Sequence, residues 1–197
     1  MTQAAPRLSQ PMTLAEYLDY DSAADIRYEL VDGALVEVTS ESPENCKLAK
    51  LLMLELAKHV SIIFISLKDL EVAVSGRRAT VRLPDLAVVD EEGFSALSTQ
   101  RSNTITHDMP PPVLVVEVVS PGRENRNRDY RHKHTEYAAR GIAEYWIIDP
   151  ELQQVMLCLW VDGQYEDTIY KSDTPLKSTV IQSFNLTAKQ ILALGEI

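Results

Sequence analysis

The sequence predicts an α/β protein whose helices flank a central mixed β-sheet. Short apolar runs rich in β-branched residues alternate along the chain with segments of helical periodicity. One run, residues 113–119, is apolar except for a single glutamate, which is typical of a central strand covered on both faces. The chain has 197 residues, 45% of them hydrophobic, and no repeat or linker divides it. One domain over residues 1–197 with a sizeable core is therefore expected.

The first predicted elements are a short helix and a β-hairpin. Thr13 and Glu16 stand three residues apart at the start of an apolar pattern and can form a capping box, which predicts a helix start. Residues 28–31 and 34–38 are apolar runs separated by Asp32-Gly33. This dipeptide favours a two-residue hairpin turn.

The middle of the chain is predicted to hold one long helix and four strands. Ser42 as the cap and Pro43 at the first helical position open the helix, and leucines at helical spacing continue it to about residue 59. The strands are expected at residues 70–75, 80–82, 86–89 and 113–119. Residues 91–112 are polar, end in three prolines and are interpreted as a long loop.

The C-terminal third is predicted to start with a polar helix. This helix covers residues 128–140 and ends at Gly141, a residue suited to the left-handed position that follows a helix. Strands are then expected at residues 144–148 and 155–160 and near Tyr165. Thr187 is the predicted cap of a last short helix.

Charge and composition restrict the classes of function. The formal net charge of −10 argues against a broadly basic face that holds nucleic acid, so any DNA contact is expected from a local patch. The two cysteines, Cys46 and Cys158, form no CxxC pair, which argues against a disulfide scaffold or a cysteine zinc site and suits a reducing cytoplasm. No apolar stretch reaches the roughly 20 residues of a membrane-spanning helix. Residues 1–10 lack the apolar segment of a secretory signal, so a cytoplasmic protein without membrane contact is expected.

Glu117 is the most informative single residue, because it lies inside the apolar run 113–119. An unpaired buried carboxylate would cost several kcal/mol, a large part of the stability of a domain. Glu117 must therefore be paired, protonated or bound to a cation. A salt bridge to an arginine, or a position near the strand end that reaches water, remains an alternative to a metal site.

Asp85 follows Pro84 at the start of the apolar strand 86–89 and is a candidate partner of Glu117. If the two strands are neighbours, both carboxylates converge at one point of the sheet, and their mutual repulsion raises one pKa. A hard divalent cation removes that conflict. Mg²⁺ is normally bound by one or two carboxylates together with waters and phosphate oxygens.

Lys133 and four arginines are the candidate cationic groups. Lys133 stands one helical turn after Asp129, where it forms either a solvated ion pair or a cation directed at the metal site. The arginines form a local basic cluster, which is either a solvated face or a phosphate-contacting patch. They are Arg123, Arg126, Arg128 and Arg131. His59, His107, His132 and His134 have no ligand-spaced partner and are interpreted as non-catalytic.

Several short motifs occur in a fixed order over roughly residues 27–165. They are residues 27–33, 84–86, 116–121 and 144–150, together with Asp129, Lys133, Tyr137 and Gly141. In this order they resemble the Uma family of predicted restriction endonucleases. The resemblance implies a restriction-endonuclease-like fold of the PD-(D/E)xK type, in which helices flank a central mixed sheet.

The same resemblance assigns roles to individual residues. Asp85 looks like the aspartate of the motif, Glu117 like its second acid, and Glu29 like an additional acid from the N-terminal part. The sequence departs from the pattern at Val119, where the motif places its lysine. Lys133 on the following helix is expected to take that role.

The resulting hypothesis is Mg²⁺- or Mn²⁺-assisted hydrolysis of phosphodiester bonds in DNA. Asp85, Glu117 and the carbonyl of Val118 would hold the metal, Glu29 would bind it or orient a water, and Lys133 would position the nucleophile. The alternative is a catalytically silent module of the same fold used for protein interaction or assembly. RNA or a small phosphoester stays open as a substrate, and a homodimer is expected by analogy with nucleases that cut both strands.

Overall fold

The computed structural model of the chain describes residues 10–20, 26–38 and 41–195. The strands in these residues are β1 (Tyr28–Val31), β2 (Ala34–Glu37), β3 (Ile65–Leu67), β4 (Glu71–Val74), β5 (Thr80–Arg82), β6 (Leu86–Val88), β7 (Thr104–Ile105), β8 (Leu114–Val118), β9 (Glu144–Asp149), β10 (Gln154–Val161) and β11 (Gln164–Lys171). The α-helices are α1 (Leu14–Leu18), α2 (Pro43–Leu56), α3 (Glu91–Leu97), α4 (Arg123–Asn127), α5 (His134–Arg140) and α6 (Ala188–Ala193). A 3-10 turn covers Ile62–Phe64, and a π-helical segment, Arg128–Lys133, joins α4 to α5.

The predicted mixed fold with flanking helices is confirmed, but the strands form two sheets where one was expected. The orders are β2-β1-β5-β4-β7 and β11-β10-β9-β8-β6-β3. The chain leaves the first sheet after Arg82 and enters the second at Leu86. Between them Pro84 has no N–H to donate, and the N–H of Leu83 donates to the Glu29 side chain at 3.1 Å. This break in the ladder places Asp85 where the two sheets meet.

Strand β8 is buried at all five positions, which confirms the prediction of a central strand. It pairs antiparallel with β6 and parallel with β9. Leu114, Val116 and Val118 face the core packed under α2 and α6. Val115 and Val119 face the opposite core, which packs against α5. Side chains alternate between the two faces of a strand, so Glu117 lies on the face opposite to Leu114, Val116 and Val118. It therefore points toward the α5 side.

The connection from β8 to β9 is one continuous helical segment made of α4, the π-helical segment and α5. It starts at Arg123, five residues before the predicted start, and ends at Gly141, whose φ of +78° is the left-handed conformation expected of a helix-ending glycine. π-Helical turns are rare and frequently mark functional sites. Asp129 and Lys133 are both buried within this turn.

The predicted hairpin, the helix starts at Thr13, Ser42 and Thr187, and the strands of the C-terminal third are confirmed. The prediction of a long loop at residues 91–112 is wrong, because this stretch holds α3 and β7. The Asp90 side chain caps α3 by accepting from the N–H of Gly93 at 2.8 Å, and Phe94 packs edge-on against Phe64. This short helix has too few apolar positions to show a period in the sequence.

Across the described residues, none of the helices combines the length and the apolar character that a membrane crossing requires.

Candidate active site

Asp85 and Glu117 lie side by side where β6 pairs with β8. The antiparallel register matches Leu86 with Val116, and one residue further it brings Asp85 beside Glu117. The N–H of Val118 donates to Asp85 Oδ2 at 2.7 Å. Asp85 is 5% exposed and Glu117 3%, so both carboxyl groups are largely removed from water. The two strands are thus neighbours, as the proposed convergence of the carboxylates requires.

Lys133 reaches the same point from the π-helical turn. Its Nζ donates to Glu117 Oε1 at 2.7 Å and lies 3.6 Å from Glu29 Oε1 and 3.9 Å from Asp129 Oδ1. The hydroxyl of Tyr137 donates to the same Glu117 oxygen at 3.0 Å. The partner of Glu117 is therefore a lysine rather than an arginine. The pair Asp129–Lys133 is buried rather than solvated, with both side chains at most 4% exposed.

The charges around this lysine shift the pKa values of the buried groups. Burial, together with Asp85 and Asp129, raises the pKa of Glu117 from its ordinary 4.5 to about 8, although Lys133 acts in the opposite direction. Burial alone would lower the pKa of Lys133, but Glu117, Glu29 and Asp129 outweigh it and raise this pKa. Lys133 thus lies among three carboxyl groups, of which Glu29 also pairs with Arg82 and Asp129 with Arg128.

Glu29 is held by the protein from several sides. Arg82 Nη1 donates to Glu29 Oε2 at 2.9 Å, and Nε and Nη2 of the guanidinium form a bidentate pair with Glu136 at 2.7 and 2.9 Å. Burial raises the pKa of Glu29, but Lys133 and Arg82 outweigh it and lower this pKa. Glu29 is therefore ionised beside Lys133, with its two oxygens already engaged by Arg82 and by the N–H of Leu83.

Glu41 and Lys68 belong to the site and were not found in the sequence. Lys68 Nζ lies 3.3 Å from Asp85 Oδ1 and also pairs with Glu41. Burial and the adjacent Asp85 raise the pKa of Glu41. Lys68 adopts φ +55°, an uncommon value for a non-glycine residue, and its N–H donates to the Asp85 carbonyl at 3.1 Å. Neither residue stands at a characteristic spacing from Asp85, so no sequence signal connects them.

Several of these residues line a cavity of about 360 Å³. Its cationic members are Arg82, Arg128 and Lys133, and His132 also borders it. The acidic members outnumber them and are Glu29, Asp32, Glu37, Glu41, Asp85, Glu117 and Glu136. Such oxygen donors suit a hard cation such as Mg²⁺ or Mn²⁺. Among the described residues no three of these carboxylates approach one another within 4.8 Å, so the fit is to a cation held by one or two of them with waters.

The arginine cluster is partly neutralised by the chain itself. Arg126 pairs with Asp149 at 3.1 Å and with Glu151 at 2.9 Å. Arg128 pairs with Asp129 at 2.9 Å while it lines the cavity. Arg123 and Arg131 are exposed. The contact of these four arginines with DNA stays a prediction, and Arg128 is the member that lies at the candidate site.

Comparisons with known proteins agree with this fold and family. The chain is similar to a protein from Anabaena variabilis whose crystal structure is described as that of "a putative nuclease belonging to DUF820". The TM-score is 0.71 at 16% sequence identity, over 94% of this chain and 99% of that one, which shows the shared fold. No curated protein matches the chain significantly. The sequence pattern of the Uma2 family, described as "Putative restriction endonuclease", matches residues 14–189, and the chain therefore belongs to this family.

Proposed function

We propose that this chain is a metal-dependent endonuclease that hydrolyses phosphodiester bonds of DNA in the cavity beside β6 and β8. The observation that carries the proposal is the arrangement of Asp85, Glu117 and Lys133. Two buried carboxylates on neighbouring strands share a polar cavity with a lysine that lies 2.7 Å from one of them. Membership of the Uma2 family supports the same class of reaction.

Asp85, Glu117 and the carbonyl of Val118 are the groups proposed to hold one Mg²⁺ or Mn²⁺. Among the described residues both donors to Glu117 meet Oε1, so Oε2 has no protein donor, and Glu117 lines the cavity. Glu41, beside Asp85, is a further oxygen donor. When bound, such a cation polarises the scissile phosphate and lowers the pKa of a water molecule.

The residues of the chain supply charge and position. The Lys133 ammonium faces the cavity as a fixed positive charge that offsets negative charge developing on the phosphate, and it can orient the attacking water. Tyr137, through the shared Glu117 oxygen, and Glu29 hold that ammonium in place. Arg82 in turn fixes Glu29. Glu29 acts in this proposal as a positioning residue for Lys133.

The charge of the protein bears on how it would meet DNA. A net charge of −10 and the internal pairing of Arg126 and Arg128 predict weak, salt-sensitive binding to DNA. A homodimer in a reducing cytoplasm is our expectation for a nuclease that cuts both strands.

A catalytically silent module is the second candidate. It is favoured by the degree to which Lys133, Glu117, Glu29 and Arg82 already satisfy one another without a substrate. Such a network can stabilise the junction of two sheets and do nothing else. The two candidates differ in whether the cavity binds a divalent cation.

The test is cleavage of supercoiled plasmid, single-stranded DNA and RNA, each with chelator, Mg²⁺ or Mn²⁺. We expect metal-dependent cleavage of DNA by the wild-type protein and loss of it in Asp85→Ala. Preferential cleavage of RNA would replace DNA as the proposed substrate but leave the proposed site unchanged. Equal cleavage by the wild type and Asp85→Ala would contradict the assignment of the site. No cleavage together with no cation binding by the wild type would favour the silent module.

A further inference from the structure

A second cluster of metal-ligating side chains lies outside the candidate active site, between α5 and the hairpin β10–β11. It consists of His134, Cys158 and Asp167. Cys158 and Asp167 are directly opposite each other in the antiparallel register of β10 and β11. His134 Nε2 lies 2.9 Å from Asp167 Oδ1 and 3.1 Å from Oδ2. Helix α5 and the two strands of the hairpin thus contribute one side chain each.

The separations of the ligand atoms are compatible with a single cation. One ligand atom of each residue lies within 4.8 Å of the other two. Bonds of about 2.0–2.3 Å to a tetrahedral cation would separate such atoms by roughly 3.3–3.6 Å. The separations between the three side chains therefore need to change by at most about 1.5 Å for them to surround an ion.

The surroundings of the cluster would hold these ligands in place while leaving a path to solvent. Cys158 is fully buried, whereas the side chains of His134 and Asp167 are 22% and 38% exposed. The ring of Tyr165 packs edge-on against the imidazole of His134, with centroids 5.2 Å apart. The open side at His134 and Asp167 leaves room for a water as the fourth ligand, the arrangement of zinc sites that have three protein ligands.

We propose that His134, Cys158 and Asp167 form a binding site for a thiophilic divalent cation, Zn²⁺ foremost. A thiolate and an imidazole select Zn²⁺ over Mg²⁺ or Ca²⁺, which separates this site from the oxygen-lined cavity at Asp85. Binding replaces the thiol proton of Cys158, which is released to solvent, by the metal–sulfur bond. The two lone cysteines and the lack of a CxxC pair argued against a multi-cysteine site, and they place no limit on a site with a single cysteine.

Occupation of this site would connect the helix to the sheet. His134 directly follows Lys133, the last residue of the π-helical segment. A cation shared with β10 and β11 would therefore tether to the sheet the end of the π-helical segment that presents Lys133 to Glu117. The cation acts here as a structural clamp, and the inference does not depend on the proposed nuclease activity.

The test is a titration of the metal-free full-length chain with Co²⁺ alone. A thiolate bound to Co²⁺ gives a charge-transfer absorption band, and we expect this band to saturate with one Co²⁺ per chain and to disappear when Zn²⁺ is added. Cys158→Ala should abolish the band. Asp167→Asn and His134→Ala should each weaken Co²⁺ binding by about tenfold or more.

Two control variants separate this site from the rest of the molecule. Cys46→Ala removes the other thiol, and Glu117→Gln alters the candidate active site, so both should keep the band. No band in the wild type, a band that survives in Cys158→Ala, or a band lost in Cys46→Ala would each overturn the proposal. If Cys158→Ala fails to fold, unchanged affinity in both Asp167→Asn and His134→Ala overturns it equally.

Discussion

Lys133 donates a 2.7 Å hydrogen bond to Glu117 although sixteen positions and a change from strand to helix separate the two residues. The helical segment that follows β8 returns across that strand, and its π-helical turn directs Lys133 at the carboxylate. Val119, the position of the motif lysine, is instead packed in the apolar core. Strand β8 is thus followed by Val119 where the motif has its lysine, and the next helical segment places Lys133 beside Glu117 instead.

Breaking this pair should destabilise the protein strongly. Lys133→Met leaves the buried Glu117 carboxylate without its cation, next to Glu29 and Asp129. We expect the free energy of unfolding to fall by about 3 kcal/mol or more at pH above 8, where Glu117 is ionised. Urea denaturation of the variant measures the change.

The matched control is an exposed pair of the same type. Lys58 pairs with Glu55 at 2.6 Å, but its side chain is 62% exposed, so Lys58→Met should change stability by about 0.5 kcal/mol or less. Equal effects of Lys58→Met and Lys133→Met would show that the buried pair has no special role in stability.

Arg82 should not be replaceable by lysine. Its guanidinium binds Glu136 through two donors and Glu29 through a third, and the side chain is 2% exposed. An ammonium cannot reproduce this planar fork. Arg82→Lys is expected to lower the free energy of unfolding by about 2 kcal/mol, as measured by chemical denaturation. The exposed Arg77→Lys should have almost no effect, and comparable losses in the two variants would contradict the role given to Arg82.

The elements were largely predictable because their signals are local. Asp32-Gly33 fixes the first hairpin, with both residues at positive φ, and Gly141 ends the long helical segment. The apolar run around Glu117 identified the central strand. Strand β3 was not predicted, because it continues the apolar residues of the preceding 3-10 turn and the combined run shows neither a helical nor a strand periodicity.

The acidic residues of the candidate site could be predicted from the sequence, but most of the residues that contact them could not. Asp85 and Glu117 stand out because a carboxylate in or beside an apolar strand needs a compensating partner. Glu41 and Lys68 are ordinary polar residues in turns, and only the fold brings them to Asp85. The ion pairs of Arg126 with Asp149 and Glu151 could not be predicted either, because the arginine and its partners belong to different elements.

Cation binding should depend on pH through Glu117. The folded-state pKa of about 8 lies above the ordinary 4.5, so the folded protein keeps this proton between those values and a stabilising contribution is lost as pH rises through that window. A cation binds the ionised carboxylate, so Mn²⁺ affinity should rise by roughly tenfold or more from about pH 6.5 to 8.5. Calorimetric titrations of the protein with Mn²⁺ at both pH values measure this change in affinity. A wild-type affinity independent of pH, or the same rise in Glu117→Gln, would contradict the assignment.

Divalent cations should stabilise the folded protein. At a Mn²⁺ concentration about 100 times Kd, the free energy of unfolding should increase by about 2.7 kcal/mol, which thermal denaturation detects as a higher Tm. Asp85→Asn should lose this increase. Glu71→Gln, a carboxylate on β4 bound by Tyr17 and Thr104, should retain it. A Tm that Mn²⁺ leaves unchanged in the wild type would argue for the silent module.

The most direct measurement is the rate of plasmid cleavage at increasing Mn²⁺ concentration by the wild type, Glu117→Gln and Glu71→Gln. Glu117→Gln preserves the shape of the side chain and removes the charge beside Lys133 and Asp85. The proposed site predicts metal-dependent cleavage by the wild type and by Glu71→Gln, with a rate at least about 100-fold lower in folded Glu117→Gln. Cleavage at the wild-type rate by Glu117→Gln would contradict it.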